Sequence, residues 1–176
     1  MALPPVIETE RLLLRPFAPG DAEAAFQSFG DPAVMRFISG GPDTSVAATH
    51  ERLLKYARHQ EEHGFSKWAV VCKESGQLVG DSGLMWLPDS SDVELGYRFR
   101  RNCWGRGYAT EAARAWLHSA FEYTALHSVI AFTHPDNRFS IRVMEKLGMI
   151  PRGKARYYDM DVLVYVATKS EVVGAR

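Results

Sequence analysis

The 176-residue sequence predicts an α/β (α+β) fold: a mixed, mostly antiparallel sheet with helices on both faces. Three observations carry this. Strand-like runs at 67–73, 77–86 and 92–100 follow one another across turn residues, as in an antiparallel meander. A long amphipathic helix pattern starts directly after Gly107. The apolar run 128–133 (SVIAFT) then completes strand–helix–strand, a crossover that makes its two strands parallel and is nearly always right-handed.

The elements follow in order. Residues 11–15 (RLLLR) read as a first strand, stopped by Pro16, and Pro19-Gly20-Asp21 opens a helix with Asp21 as its N-cap and Ala22, Ala25, Phe26 and Phe29 at helical spacing. A second helix is capped by Asp43, Thr44 or Ser45, reaches about His63 and ends at Gly64. Glu74-Ser75-Gly76 makes a hairpin turn between the first two meander strands, and Pro88-Asp89-Ser90-Ser91 separates the next two. In the helix after Gly107, Ala109, Ala112, Ala113, Trp116, Leu117, Ala120 and Phe121 form one stripe at spacings of three and four. Glu111, Arg114, His118 and Glu122 fall opposite, so this helix lies on a sheet. His134-Pro135-Asp136-Asn137 opens another helix, closed by Leu147-Gly148, and two final strands cover about 150–157 and 162–168.

No linker or repeat divides the chain, and residues 1–176 read as a single domain. Hydrophobic residues make up 46% and charged residues 24%, the balance of an ordinary globular protein. Lysine plus arginine equal aspartate plus glutamate at 21 each, so general nucleic-acid or membrane-surface binding, which needs a net basic face, is not expected. Cys72 and Cys103 have no metal-ligand spacing, nor do the six histidines, and no metal is expected. His50 and His59 read as helix-surface residues, and His134 as a solvated loop residue. Trp68, Trp86 and Trp104 read as packing residues. The start, MALPPVIETERLLLR, lacks a basic segment followed by a long apolar run, and no stretch approaches the ~20 apolar residues of a membrane span. A cytoplasmic, reduced setting is the expectation. A homodimer is compatible with the sequence without being specified by it.

The loop Asn102 to Gly107 joins a strand end to a helix start. The helix leaves its first N–H groups unpaired and carries about half a positive charge there. Gly105 and Gly107 let a ligand approach the backbone, and Arg101 and Arg106 add charge. The loop therefore reads either as an anion site suited to phosphate or as a tight strand-to-helix turn. Gly107-Tyr108-Ala109 lacks the Lys-Ser/Thr of a P-loop, and Thr110 departs from a dinucleotide fingerprint.

Taken together, NCWGRGYATEAARAWL (102–117), HPDNRFSIRVMEKLGM (134–149), ETERLLLRPF near the start and VELGYRF before the loop resemble the Gcn5-related N-acetyltransferase (GNAT) superfamily, and within it the ribosomal-protein-alanine acetyltransferase branch. The resemblance implies a splayed parallel pair, strands 92–100 and 127–133, with the pantetheine arm of acetyl-CoA entering the gap beside Leu95, Gly96 and Tyr97. It implies that Asn102, Cys103, Trp104, Gly105, Arg106, Gly107, Tyr108, Ala109 and Thr110 wrap the pyrophosphate, chiefly through backbone N–H groups; the family usually has Gln or Arg at the place of Asn102. Asn137 is either a helix N-cap or, as the resemblance implies, a pantetheine ligand. Arg142 and Lys146 either meet the 3′-phosphate or form a solvated helix face.

Acetyl transfer to an amine needs a base, because an α-amine (pKa about 8) and a lysine (about 10.4) are mostly protonated at neutral pH. Glu94 shares a strand face with Gly96 and Arg98 and is the first choice; the alternatives are a salt bridge to Arg98 or a solvated position. A backbone N–H of Leu95 or Gly96 serves the oxyanion. Ser140 is the candidate proton donor to the leaving thiolate, since Met144 stands where the family often has a tyrosine acid. Cys103 has no paired histidine, so transfer is expected to be direct, in a ternary complex. The acceptor is a protein N-terminal α-amine or a small amine, drawn by Asp89, Asp92 and Glu94 or facing a merely solvated turn. The alternative function is a coenzyme A-binding module without turnover.

Overall fold

The computed structural model describes residues 3–88 and 90–170, so Asp89 lies outside the described residues. The elements are β1 (Ile7–Glu8), β2 (Leu12–Arg15), α1 (Ala22–Phe29), α2 (Pro32–Met35), α3 (Val46–His63), β3 (Lys67–Cys72), β4 (Leu78–Trp86), β5 (Val93–Phe99), α4 (Tyr108–Tyr123), β6 (Ser128–Thr133), α5 (Arg138–Lys146), β7 (Ile150–Tyr157) and β8 (Met160–Thr168). The eight strands form one sheet in the order β1-β2-β3-β4-β5-β6-β8-β7. Every neighbouring pair is antiparallel except β5 and β6.

Local chemistry explains the element ends. Ser45 accepts from the Ala48 N–H to start α3, and Gly64 closes it at φ 78. Two elements are too short to leave a periodic signal: β1, with two residues, and α2, a single turn capped by the Asp31 carboxylate on the Ala33 N–H. Asp21 precedes α1 as expected but does not cap it. Its carboxylate accepts from Arg15 at 2.6 and 3.0 Å and from the Ala18 N–H at 2.7 Å, because a guanidinium fork holds it more strongly than one amide can.

Strand alternation assigns the two faces. Val93, Leu95 and Phe99 join Leu12, Leu14, Trp68 and Val70 in a core under α4 and α5, with Ala112, Trp116, Ala120, Phe121 and Met144. Trp68 meets Trp116 edge-on at 4.9 Å. Each such large side chain stabilises the fold by about 1.5–3 kcal/mol through burial, which fixes α4 on this face. On the opposite face α1, α2 and α3 bring Ala25, Phe29, Met35, Leu53 and Tyr56 into a second cluster. No described helix is long and apolar enough to cross a membrane.

The parallel pair positions the site. β4 and β5 are in register from Gly80↔Phe99 to Trp86↔Val93, whereas β5 and β6 share one registered pair, Glu94↔Ile130. β6 stays paired with β8 from Ser128 to Thr133. The sheet therefore opens as a V between β5 and β6, its apex at Glu94 and its mouth at their C-terminal ends.

Candidate active site

The loop at the mouth of the V is a 3₁₀ turn, Arg101–Cys103, followed by Gly105 at φ 75 and Gly107 at φ 81. Gly107 is the N-cap of α4, and no side chain caps that helix. A left-handed residue at the cap turns the first N–H groups of α4, those of Tyr108, Ala109 and Thr110, out of the loop. With the helix dipole and Arg106 this is an anion-binding geometry. The side chains of the loop divide. Trp104 donates its Nε1–H to the Phe99 carbonyl at 2.8 Å, yet the residue is 46% exposed, its ring 6.5 Å from that of Phe139, more open than a packing residue. Cys103 and Tyr108 are buried, so only their backbones face a ligand. Burial pushes the Cys103 thiol up, away from the thiolate that acyl-cysteine chemistry needs.

A brace outside the loop holds it. Glu111, in the first turn of α4, turns away from the helix end and accepts from the Arg11 N–H at 2.9 Å, the Arg11 Nε at 2.7 Å and the Thr9 hydroxyl at 2.5 Å. Arg11 also donates to the Arg106 carbonyl at 2.9 Å and lies over the Tyr108 ring. These bonds push the Glu111 carboxyl below its usual range against the opposing effect of its partial burial. An anion at the N–H groups therefore meets no competing carboxylate.

At the apex, Glu94 is half-buried on the face of α1 to α3. It makes no salt bridge with Arg98. That guanidinium is held by Asp81 at 2.9 and 2.5 Å and donates to the Tyr56 hydroxyl at 2.6 Å. The Lys67 ammonium lies beside Gly96, next to Glu94. Tyr97 points to the other face. Its hydroxyl meets Ser140 Oγ at 3.0 Å and donates to the Ser140 carbonyl at 3.2 Å, and burial pushes the phenol far up, so it stays a donor. Asn137 accepts from the Ser140 N–H at 3.3 Å as the N-cap of α5, and its amide donates to Thr133 Oγ1 at 2.9 Å. Met144 is fully buried beneath this helix, and Arg142 and Lys146 are exposed on it.

The rim beyond Glu94 is aromatic. Phe37 stacks on His134 at 5.5 Å and 18°, so this histidine is a ring contact rather than a merely solvated loop residue. The β7–β8 turn places Tyr158 and Asp159 at φ 49 and 61, and Ser39 donates its hydroxyl to the Tyr158 carbonyl at 3.4 Å. Burial, then the carboxylate of Glu94, push the Tyr158 phenol up to about 12. Phe132 sits 4.8 Å from Tyr157 and 6.2 Å from Tyr158. Asp92 accepts from Arg152 at 3.4 Å. His59 is half-buried rather than freely exposed: its Nδ1 donates to the Phe65 carbonyl at 2.7 Å and its Nε2 accepts from the Trp86 N–H at 3.0 Å, tying α3 to the sheet.

The structure thus brings Glu94, Leu95, Gly96, Tyr97, Asn137 and Ser140 to the V and places residues 102–110 at its mouth. Arg11, within ETERLLLRPF, braces the loop at the mouth, and Lys67 and Tyr158 beside Glu94, with Asp81 and Tyr56 around Arg98, carry no motif of their own. The small pair Gly83 and Gly96 in neighbouring strands was the available signal for a side chain crossing above them.

Known proteins carry the same architecture. The acetyltransferase (GNAT) domain family matches residues 11–150. The uncharacterized N-acetyltransferase YnaD of Bacillus subtilis (strain 168) is 32% identical over 147 residues, 84% of each chain. The crystal structure of a GNAT-family acetyltransferase from Bacillus anthracis superposes with a TM-score of 0.82 at 30% identity, covering 94% of this chain and 99% of that one. The ribosomal-protein-S5-alanine acetyltransferase of Vibrio fischeri shares the fold at a TM-score of 0.79 and 17% identity, over 94% and 97% of the two chains. An unpaired strand fork, an uncapped helix N-terminus at its mouth and this likeness over nearly the full length agree: the chain belongs to the GNAT family of N-acetyltransferases, enzymes whose cosubstrate is acetyl-CoA.

Proposed function

We propose that the protein moves the acetyl group of acetyl-CoA directly to a primary amine bound beside Glu94. The observation that carries this reading is the single registered pair of the parallel strands, with a carboxylate at its apex and unclaimed helix N–H groups at its mouth. The pyrophosphate sits on the backbone of residues 102–110. The pantetheine lies in the V, where its amides satisfy the open edge of β5 along Leu95, Gly96 and Tyr97. Asn137 keeps its cap and offers its remaining hydrogen-bonding capacity to the arm, and Arg142 reaches the 3′-phosphate.

Glu94 takes a proton from the acceptor ammonium, and the freed nitrogen attacks the thioester carbon. Charge gathers on the carbonyl oxygen, stabilised by a backbone N–H of Leu95 or Gly96. The C–S bond then breaks as the amide forms: the attached nitrogen gives up its second proton to solvent, the thiolate receives the Ser140 proton, and Ser140 is reprotonated from solvent, with the Tyr97 hydroxyl hydrogen-bonded to it at 3.0 Å. The acceptor enters past Phe37, His134 and Tyr158. That rim and the Glu94 carboxylate suit a cationic amine with an apolar body, an N-terminal peptide or a small molecule.

The test is thiol release from acetyl-CoA over a panel of small amines and N-terminal peptides. Release that depends on the amine supports the reading. Saturable acetyl-CoA binding without release on any acceptor would replace it with a coenzyme A-binding module.

A further inference from the structure

Lys67 is 7% exposed, in the middle of a sheet face. Its register explains how it fits. Lys67 pairs with Gly83 across β3 and β4, and Gly83 pairs with Gly96 across β4 and β5. Directly opposed residues point to the same face, so the two glycines clear a channel in which the lysine lies across the sheet. Its ammonium donates to the Gly83 carbonyl at 3.2 Å. A methyl group on Gly96 would overlap that ammonium and would lie 3.3 Å from Glu94 Oε1. Ammonium and carboxylate therefore flank one α-carbon at the apex of the V.

The neighbouring charges leave this pair to each other. Asp81 is held by two hydrogen bonds from Arg98, and a further Arg98 N–H goes to Tyr56. His59 has both ring nitrogens engaged, and Tyr158 is protonated through the neutral range. An unpaired buried charge is costly, and Glu94 is the carboxylate that remains for Lys67.

We propose that Lys67 is a positioning residue, the counter-ion that holds Glu94 ionised and aimed at the acceptor amine. This rests on Glu94 acting as the base in the reaction above. Burial pushes the lysine below its usual value, while Glu94 and Asp81 pull it back up and Arg98 lowers it further, so its charge depends on the two carboxylates. Removing the lysine takes away the positive charge that flanks Gly96 beside the carboxylate, a loss that weighs most at low pH, where protons compete for the base.

Lys67→Met, Lys67→Gln, Lys67→Arg and Glu94→Gln, with the Lys67→Met/Glu94→Gln double variant, test this. Lys67→Gln keeps a donor for Gly83 and is the second variant should Lys67→Met not fold. The neutral variants are expected to lose about tenfold more kcat/KM at about pH 6 than at about pH 9, with KM for acetyl-CoA within about twofold of wild type and Lys67→Arg closer to wild type. The double variant is expected to unfold at a higher denaturant midpoint than the sum of the single losses gives. A pH profile that keeps its shape, or midpoints that simply add, overturns the proposal. The unfolding cycle needs no turnover, so a failure of the base assignment is told apart from a failure of the coupling between Lys67 and Glu94.

Discussion

The carboxylate of Glu111 is bonded to Arg11 through both the backbone N–H and the guanidinium, across a hundred residues of sequence. This contact ties the first long strand to the first turn of α4, and Arg11 carries it on to the Arg106 carbonyl.

Arg11→Ala therefore loosens the loop from behind without touching its inner surface. KM for acetyl-CoA is expected to rise several-fold with kcat little changed. The stability loss is expected near 1 kcal/mol, because Arg11 is 44% exposed and solvent screens the pair. Steady-state kinetics and a thermal melt check both. Glu111 is held below its usual carboxyl range, so its share of the stability is present above the unfolded value and is lost as pH falls through the lower folded value.

Gly107→Glu puts a side chain at φ 81 and a negative charge at the α4 N–H groups. Strain of about 1–2 kcal/mol leaves the fold standing, while calorimetric titration with coenzyme A is expected to show no saturable heat. Normal affinity would remove the anion-site assignment.

Glu94→Gln keeps the shape of the apex and removes the base. Turnover is expected to fall by a factor of about 10²–10⁴, with acetyl-CoA affinity retained in the same titration. Unchanged turnover from about pH 6 to 9 would place the base elsewhere.

His59 gives a stability signature of its own. Burial holds its pKa below the usual imidazole value of about 6.5, outweighing the hydrogen bond to Phe65 that raises it. The unfolded chain therefore binds the proton more readily than the folded one. The contribution is complete above about pH 6.5 and is lost as pH falls through the depressed folded value, because protonated Nε2 no longer accepts from the Trp86 N–H. Melts of the wild type and His59→Leu are expected to converge as pH drops over this window. Parallel curves would show that the imidazole titrates freely.

The glycine loop before α4 was legible in the sequence because its signals are local: two glycines, an arginine and a helix start lie within a few residues. The same holds for α3, where Ser45 and Gly64 mark both ends, and for β3 to β5, where alternation and turn residues repeat. Asp21 and His59 misled for the opposite reason. Each is read locally as a cap or a surface residue, and each has partners supplied by the folded chain, Arg15 for one and the backbone of Phe65 and Trp86 for the other.

The sequence by itself determined the order of the longer elements, the parallel crossover and the glycine loop before α4, because periodicity and capping act over one or two turns of chain. Only the tertiary structure decided how Glu94 is surrounded. Lys67 and Tyr158 converge on it through strand register and a distant hairpin, while Asp81 and Arg98 pair with each other beside Lys67, and register is set by the packing of whole faces rather than by any residue's own preference.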